Sequence, residues 1–276
     1  MSEAAAEADE DRLSRPPVPI SPRRRIAIAV AIGVLSGFVA GLFGVGGGIL
    51  IVPALVLVLG MDQRLAHGTS LAAIVPIAVG GVVGYVWSSS VDWAAVVILV
   101  GGAALGAVAG TRALHRLPQR VLRVVFSLYL LATAVSLFLN MGSTAAQERL
   151  TVPTVAGLVL IGLVAGTIAG LLGVGGGIVT VPALILLLSM PVAVAKGTSL
   201  AVTVPTAVVG TIRNLGVRNA DLVLAGVIGL TGMASSYGGA RLSVTMDPRL
   251  SKALFACLLV AVAATMLLTR DGRRTA

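Results

Sequence analysis

The sequence predicts an all-α polytopic membrane protein. It is built from two inverted-topology repeats of about five apolar segments each, about eight to ten membrane segments in all, some re-entrant or broken. Three observations predict this. The first is composition: of 276 residues, 57% are hydrophobic and 11% charged, with a mean hydropathy of +1.02. A soluble domain carries about a quarter charged residues and has no place to hide so much apolar surface. The second is an internal repeat: GLFGVGGG at 41–48 returns as GLLGVGGG at 170–177, an offset of 129 residues. The third is the position of the basic residues, which fall between apolar segments rather than on one face.

Residues 1–25 are polar and lack apolar periodicity. They predict a disordered cytoplasmic tail ending in Arg23, Arg24 and Arg25. The first membrane repeat is expected over 26–140, with apolar segments at 26–43, 49–60, 62–87, 93–111 and 121–139. An external linker at 141–152 leads to the second repeat at 153–270, with segments at 153–172, 178–189, 191–212, 222–240 and 250–269. A short cytoplasmic tail, 271–276, closes the chain. The first run resembles a signal peptide, but its counterpart at 155–172 lies mid-chain, so it reads as part of the repeat. The second segment of each unit is too short to cross untilted. With the glycines before it, it is expected to form one arm of a re-entrant hairpin.

The repeat extends well past the glycines. Pro53-Ala54-Leu55 returns as Pro182-Ala183-Leu184, and Gly68-Thr69-Ser70-Leu71-Ala72 as Gly197-Thr198-Ser199-Leu200-Ala201. Pro76 matches Pro205, Asp92 matches Asp221 and Arg112 matches Arg241. With the N-terminus inside and all ten segments crossing, most of the 20 Lys+Arg fall inside, among them Arg112, Arg116, Arg120, Arg123 and Arg213. Arg149, Lys196, Arg241, Arg249 and Lys252 fall outside. Both termini are therefore expected in the cytoplasm, and a non-crossing hairpin in each unit leaves that parity unchanged. Each unit crosses an odd number of times, so the two insert in opposite senses.

The candidate site residues follow from this frame. Gly44, Gly46, Gly47 and Gly48, with Gly173, Gly175, Gly176 and Gly177, are four glycines in five residues within apolar sequence. Such runs break a helix and open the next one with bare N–H groups, an end that binds anions. The alternative is close helix packing through small residues. Thr69, Ser70, Thr198 and Ser199 are hydroxyls at membrane depth. They serve either as substrate donors or as bonds to carbonyls one turn back. Lys196 stands early in its helix, against the dipole; either a bound anion compensates it or it snorkels to the interface. Asp62 is expected to cap the third segment of the first unit, and Pro191 to start that of the second. Pro76 and Pro205 kink their segments.

The exclusions are as informative. Outside the tail the acids are Asp62, Asp92, Glu148, Asp221, Asp247 and Asp271, all at segment ends or loops, so a cation relay at depth is not expected. One cysteine, Cys257, excludes an intrachain disulfide and a Cys-based metal site. No motif calls for a cofactor, a metal or catalysis, and nucleic acid is excluded as a partner despite the net charge of +9.

The duplicated glycine motif and the G-T-S-L-A that follows it resemble the TauE/SafE family of sulfite and organosulfur-anion exporters, over roughly residues 26–270. The resemblance implies a carrier for small sulfur-containing anions such as sulfite or sulfonates, in the bacterial inner membrane. The bilayer and a small anion are then the partners, and a second copy of the chain is a candidate one, as a homodimer. The rival readings are an anion channel and a membrane scaffold. Arg112 and Arg241, equivalent in the two units, are expected near opposite faces. Each either helps close one side of the pathway or anchors its helix at the interface.

Overall fold

The computed structural model describes residues 21–113, 119–139, 151–172, 176–216 and 219–268. Among them the chain forms ten α-helices and no strand. They are α1 (Pro22–Phe43), α2 (Gly48–Leu59), α3 (Gln63–Val86), α4 (Trp93–Ala113) and α5 (Gln119–Leu139), then α6 (Val152–Leu172), α7 (Gly177–Leu187), α8 (Val192–Gly216), α9 (Leu222–Thr245) and α10 (Pro248–Leu268). α1, α3, α8, α9 and the Pro248–Thr265 part of α10 are long and apolar enough to cross a membrane. α4, α5 and α6 have 21 residues each. The chain is a multi-pass, all-α membrane protein.

The ends of the helices differ from the hydropathy boundaries for local reasons. α1 starts at Pro22, because Ser21 accepts from the Arg24 amide and proline suits the first helical turn. Arg23, Arg24 and Arg25 therefore belong to the helix and not to the tail; residues 1–20 lie outside the described residues. α8 and α9 outlast their apolar runs, to Gly216 and Thr245. Hydropathy marks the lipid-facing length of a helix, whereas backbone hydrogen bonding continues into its polar ends. Asp62, Asp92, Asp221 and Asp247 each accept backbone amides at a helix start.

Small residues set the closest packing. A Cβ added at Gly33, Gly37 or Gly41 of α1 would lie 2.5, 2.2 or 2.0 Å from the carbonyl oxygen of Ile228, Gly232 or Ser236 of α9. The register advances in step, so α1 and α9 run parallel at near-backbone contact. At the equivalent contact, a Cβ at Gly162 or Gly166 of α6 would lie 2.5 or 2.2 Å from the carbonyl oxygen of Leu99 or Ala103 of α4. Those are the same positions 129 residues on. α3 also runs parallel to α9, with Gly80 at Met233 and Gly229 at Pro76. α3 and α8 cross antiparallel: Gly68 meets Asn214 near one end and Gly197 meets Tyr85 at the other.

α1, α3 and α9 thus start at one end of the bundle, and α4 and α8 start at the opposite end. α5 and α10 pack together beside them. Leu130, Ala134, Phe255 and Leu259 cover the end of α1 and the start of α7. Large apolar side chains line the outside, with Leu35, Leu57, Val97 and Val223 between 66 and 82% exposed. In water such a belt drives aggregation; in lipid it is solvated.

Candidate functional site

The chain between α1 and α2 turns on left-handed glycines. Gly44 has φ +75° and caps α1 by donating to Ala40 O. Gly46 and Gly47 follow at +78° and +80°. An L side chain at these angles is strained, so the run of glycine is a conformational requirement. Gly47 is the N-cap of α2 and makes no side-chain cap bond, and Gly48 is its first helical residue. The second break ends in the same way. Gly176, at φ +70°, is the uncapped N-cap of α7, and Gly177 is its first residue. Gly173 and Gly175 lie outside the described residues.

The two breaks meet in the interior. A Cβ on Gly177 would lie 2.8 Å from Gly44 O and 2.9 Å from Val45 Cα. One on Gly46 would lie 3.1 Å from the Thr203 methyl. The crossed helices α3 and α8 form one wall of this contact. The α5–α10 pair forms the other, where Tyr129 donates to Val179 O at 3.2 Å. Ser199 Oγ donates to Gly44 O at 2.9 Å, which ties α8 to the first break. Ser70, its repeat equivalent, is fully buried and its Oγ has no partner among the described residues. The residue equivalent to Gly44 is Gly173.

Thr69 and Thr198 are not brought to the breaks. Thr69 Oγ1 donates to Leu65 O at 2.7 Å and accepts the Asp221 amide at 3.0 Å. Thr198 Oγ1 accepts the Asp92 amide, also at 3.0 Å. These are equivalent bonds: each threonine holds the start of a helix from the other unit.

Lys196 is fully buried rather than snorkelling. Its Nζ donates to Leu42 O at 2.8 Å, Ser243 Oγ at 3.0 Å and Ser251 Oγ at 2.7 Å, and lies 5.5 Å from the centre of the Phe43 ring. A Cβ on Gly44 would lie 2.7 Å from Lys196 Cα, so the lysine backbone abuts the first break. Among the described residues no carboxylate pairs with it; the ion pair found joins Arg25 and Asp221 at 2.9 Å. Ser243 and Ser251 were not legible as site residues. Leu114 and Leu122 stand at the matching positions of the first unit, so the repeat carries no signal for them.

Of the two expected gating residues, the structure describes the side chain of Arg241. Arg241 is exposed and donates to Ser88 Oγ at 3.2 Å, bridging the ends of α9 and α3. Arg112 is in the last turn of α4, and its side chain lies outside the described residues. A cavity of about 470 Å³ opens between α3, α8 and α9, lined in part by Pro76, Thr211, Leu222 and Gly226. It is at the end where α8 finishes and α9 begins, opposite the Lys196 cluster. Its walls are apolar, and the Thr211 proton is taken by Ala207 O at 2.7 Å.

Residues 8–137 and 158–276 match the profile of the family described as sulfite exporter TauE/SafE. A probable membrane transporter protein of Xylella fastidiosa (strain 9a5c) is 32% identical over 180 residues, 63% of this chain and 68% of that protein. The probable membrane transporter protein YunE of Bacillus subtilis (strain 168) is 28% identical over 211 residues, 68% of this chain and 77% of its own. An archaeal relative from Methanocaldococcus jannaschii, also called a probable membrane transporter protein, is 24% identical over 165 residues, 58% of this chain and 61% of its own.

Proposed function

The chain belongs to the sulfite exporter TauE/SafE family of membrane transporters, and we propose that it is a secondary carrier for a small sulfur-containing anion, sulfite or a sulfonate. Two inverted repeats work by alternating access around a shared site. The observation that carries this reading is the contact between two buried glycine breaks, Gly44–Gly48 and Gly176–Gly177, each of which opens a helix with no side-chain cap: Gly177, the first residue of α7, packs against Gly44 and Val45. Such ends offer bare amides and partial positive charge to an anion without a formal counter-charge. The break glycines let the backbone approach the substrate; Ser199 and Thr180 bring hydroxyls to the two breaks, at Gly44 O and Gly176 O, and Ser70 is the buried repeat equivalent of Ser199. Thr69 and Thr198 serve the scaffold instead, each holding a helix start of the other unit.

The charge balance supports an anion. Each described acid of the membrane part is engaged at a helix start, while the buried Lys196 stands beside the first break. The paired contacts at the 129-residue offset, with α3 antiparallel to α8, support two units in opposite senses. The cavity at one end and the closed cluster at the other support a form open toward one side only. The positive-inside distribution assigns both termini to the cytoplasm of a cell whose inner or plasma membrane holds the protein. Arg112 and Arg241 then lie near opposite faces.

Flux in proteoliposomes tests the reading, with sulfite, thiosulfate, sulfoacetate, taurine and sulfate as the panel. Saturable counterflow of at least one anion is the expected result. Ohmic current instead makes the protein a channel, and no flux makes it a scaffold. Labelling an Ala145→Cys variant in a Cys257→Ser background tests the orientation. Reaction only from the cytoplasmic side overturns the assigned topology.

A further inference from the structure

Lys196 is the one described ammonium that is fully buried, and all three of its N–H bonds go to neutral acceptors. Those acceptors lie on three different helices: Leu42 at the end of α1, Ser243 near the end of α9 and Ser251 in the first turn of α10. With α8, which carries the lysine, one side chain joins four helices across both repeats. The repeat does not duplicate these residues. The equivalent positions are His67, Leu114 and Leu122, which offer neither the ammonium nor the hydroxyls.

A buried ammonium without a carboxylate is a costly way to hold helices together. A methionine would fill the space without that penalty. The charge is therefore better explained by something it does than by the packing it provides. The cluster also sits next to the proposed anion path: Leu42 is two residues from Gly44, whose Cα faces the Lys196 backbone. A charged acceptor adds a Coulomb attraction to the ammonium that a carbonyl or hydroxyl lacks. An anion reaching the break thus outcompetes a carbonyl and two hydroxyls for the same three protons.

We propose that Lys196 is the latch of a gate at the end of the bundle where α1, α3 and α9 finish. Leu42 O, Ser243 and Ser251 are its keepers, and the transported anion opens the gate by drawing the ammonium off them. The inference rests on the carrier reading above. It assigns Lys196 as a positioning residue that switches partners, rather than as a fixed wall of the site.

The test uses the full chain in proteoliposomes, with Leu42→Cys as reporter in a Cys257→Ser background. The Leu42 side chain is 8% exposed, and its replacement leaves the latching carbonyl in place. Lys196→Met is expected to raise the rate of labelling by a membrane-impermeant thiol reagent about tenfold or more, a shift of about 1.4 kcal/mol in the gate equilibrium. At least one of sulfite, thiosulfate, sulfoacetate or sulfate is expected to raise the rate in the lysine parent, and none in Lys196→Met. An unchanged rate in Lys196→Met without anion overturns the latch. Acceleration by an anion that survives in Lys196→Met, or none in the parent, overturns the anion as its key. Should Lys196→Met not fold, Ser243→Ala/Ser251→Ala keeps the lysine and removes two keepers. Faster labelling supports the latch and the parent rate overturns it. The anion-free rates read the latch alone, so a protein that carries no flux can still pass or fail this part.

Discussion

Helix α3 against α9, and its repeat equivalent α8 against α4, should be the same interface, yet they are built differently. The first is a seam of glycine. A Cβ at Gly80 would lie 2.2 Å from Met233 O, at Gly84 2.7 Å from Ala240 Cβ, at Gly229 2.5 Å from the Pro76 ring and at Gly232 2.7 Å from Ile77 Cγ1. The matching positions on α8 and α4 are Val209, Arg213, Val100 and Ala103. Val209 is 49% exposed, and Arg213 is exposed as well. The α1–α9 and α6–α4 contacts, by contrast, use glycine at matching positions in both units. The two pairs, each made of one helix from each unit, are therefore built alike and differ in how they are joined to the crossed helices. Where glycines let backbones touch, the joint is close and specific; where valine and arginine stand, it is looser. In a carrier, the looser joint is the one free to slide.

Exchanging the residues of the two seams should separate them most clearly. Gly80→Val forces a branched side chain into a backbone carbonyl that cannot rotate away. It is expected to cost at least about 3 kcal/mol, the upper range for overpacking, or to abolish folded protein. The reciprocal Val209→Gly removes an exposed side chain and costs about 1 kcal/mol, the intrinsic penalty of glycine in a helix. Thermal unfolding in detergent reads both. Equal losses would mean that the two joints are equally tight.

The glycine break gives a second comparison, between strain and contact. Gly60 has φ +64° with nothing within 4 Å of an added Cβ, whereas Gly44 has φ +75° with Lys196 Cα at 2.7 Å. Gly60→Ala is expected to cost about 1–2 kcal/mol, the strain of a left-handed non-glycine residue. Gly44→Ala adds the clash on top, and should cost about 1–3 kcal/mol more and remove anion binding measured by calorimetry. A Gly44→Ala protein as stable as Gly60→Ala, with parent affinity, would remove the break from the site.

How much of this was legible in the sequence depends on what had to be seen. Element positions were legible within a few residues, because apolar runs of about 20 residues and their caps are local signals. The duplicated glycines were legible as breaks for the same reason, since four glycines in five residues cannot sustain a helix. The partners of side chains were not. Thr69 and Asp221, and Thr198 and Asp92, were each visible as repeated residues, but nothing in their spacing said that they bond across units. Lys196 was legible as an oddity and not as a hub. Its hydroxyl partners on α9 and α10 belong to one unit only, so a search by repeat passes over them.

The crossed threonines sharpen the comparison by a region where the units agree. Thr69→Val and Thr198→Val each leave one amide, of Asp221 or Asp92, without its acceptor. Each is expected to cost about 0.5–1.5 kcal/mol, the net worth of a hydrogen bond that is only part-buried. The two costs should match within about 0.5 kcal/mol if the brackets are equivalent in energy as they are in distance. Unfolding midpoints of the two variants, compared directly, decide this. A Thr198→Val loss under half that of Thr69→Val would extend the asymmetry of the lateral seams to the brackets.

The smallest expected effect lies at the Arg25–Asp221 pair, 2.9 Å apart with side chains 47 and 26% exposed. It latches the start of α1 to the start of α9. The repeat equivalent would join Thr154 to Asp92 and carries no charge pair, because Thr154 stands where arginine does in the first unit. The difference looks like a further weld on the tighter side, but its energy is modest. Exposed pairs contribute about 0–1 kcal/mol and are screened over about 8 Å at physiological salt. Asp221 also caps α9 by accepting from the Leu224 amide at 3.0 Å, so its removal would mix two effects. Arg25→Gln is the cleaner variant. It keeps the length of the side chain and leaves the cap intact. Its expected loss is at most about 1 kcal/mol at low salt, falling toward zero as ionic strength rises. Unfolding midpoints at several salt concentrations read the slope. A loss of several kcal/mol that persists in high salt would mean that the pair is shielded from solvent and is a principal joint between α1 and α9, ahead of the glycine contacts.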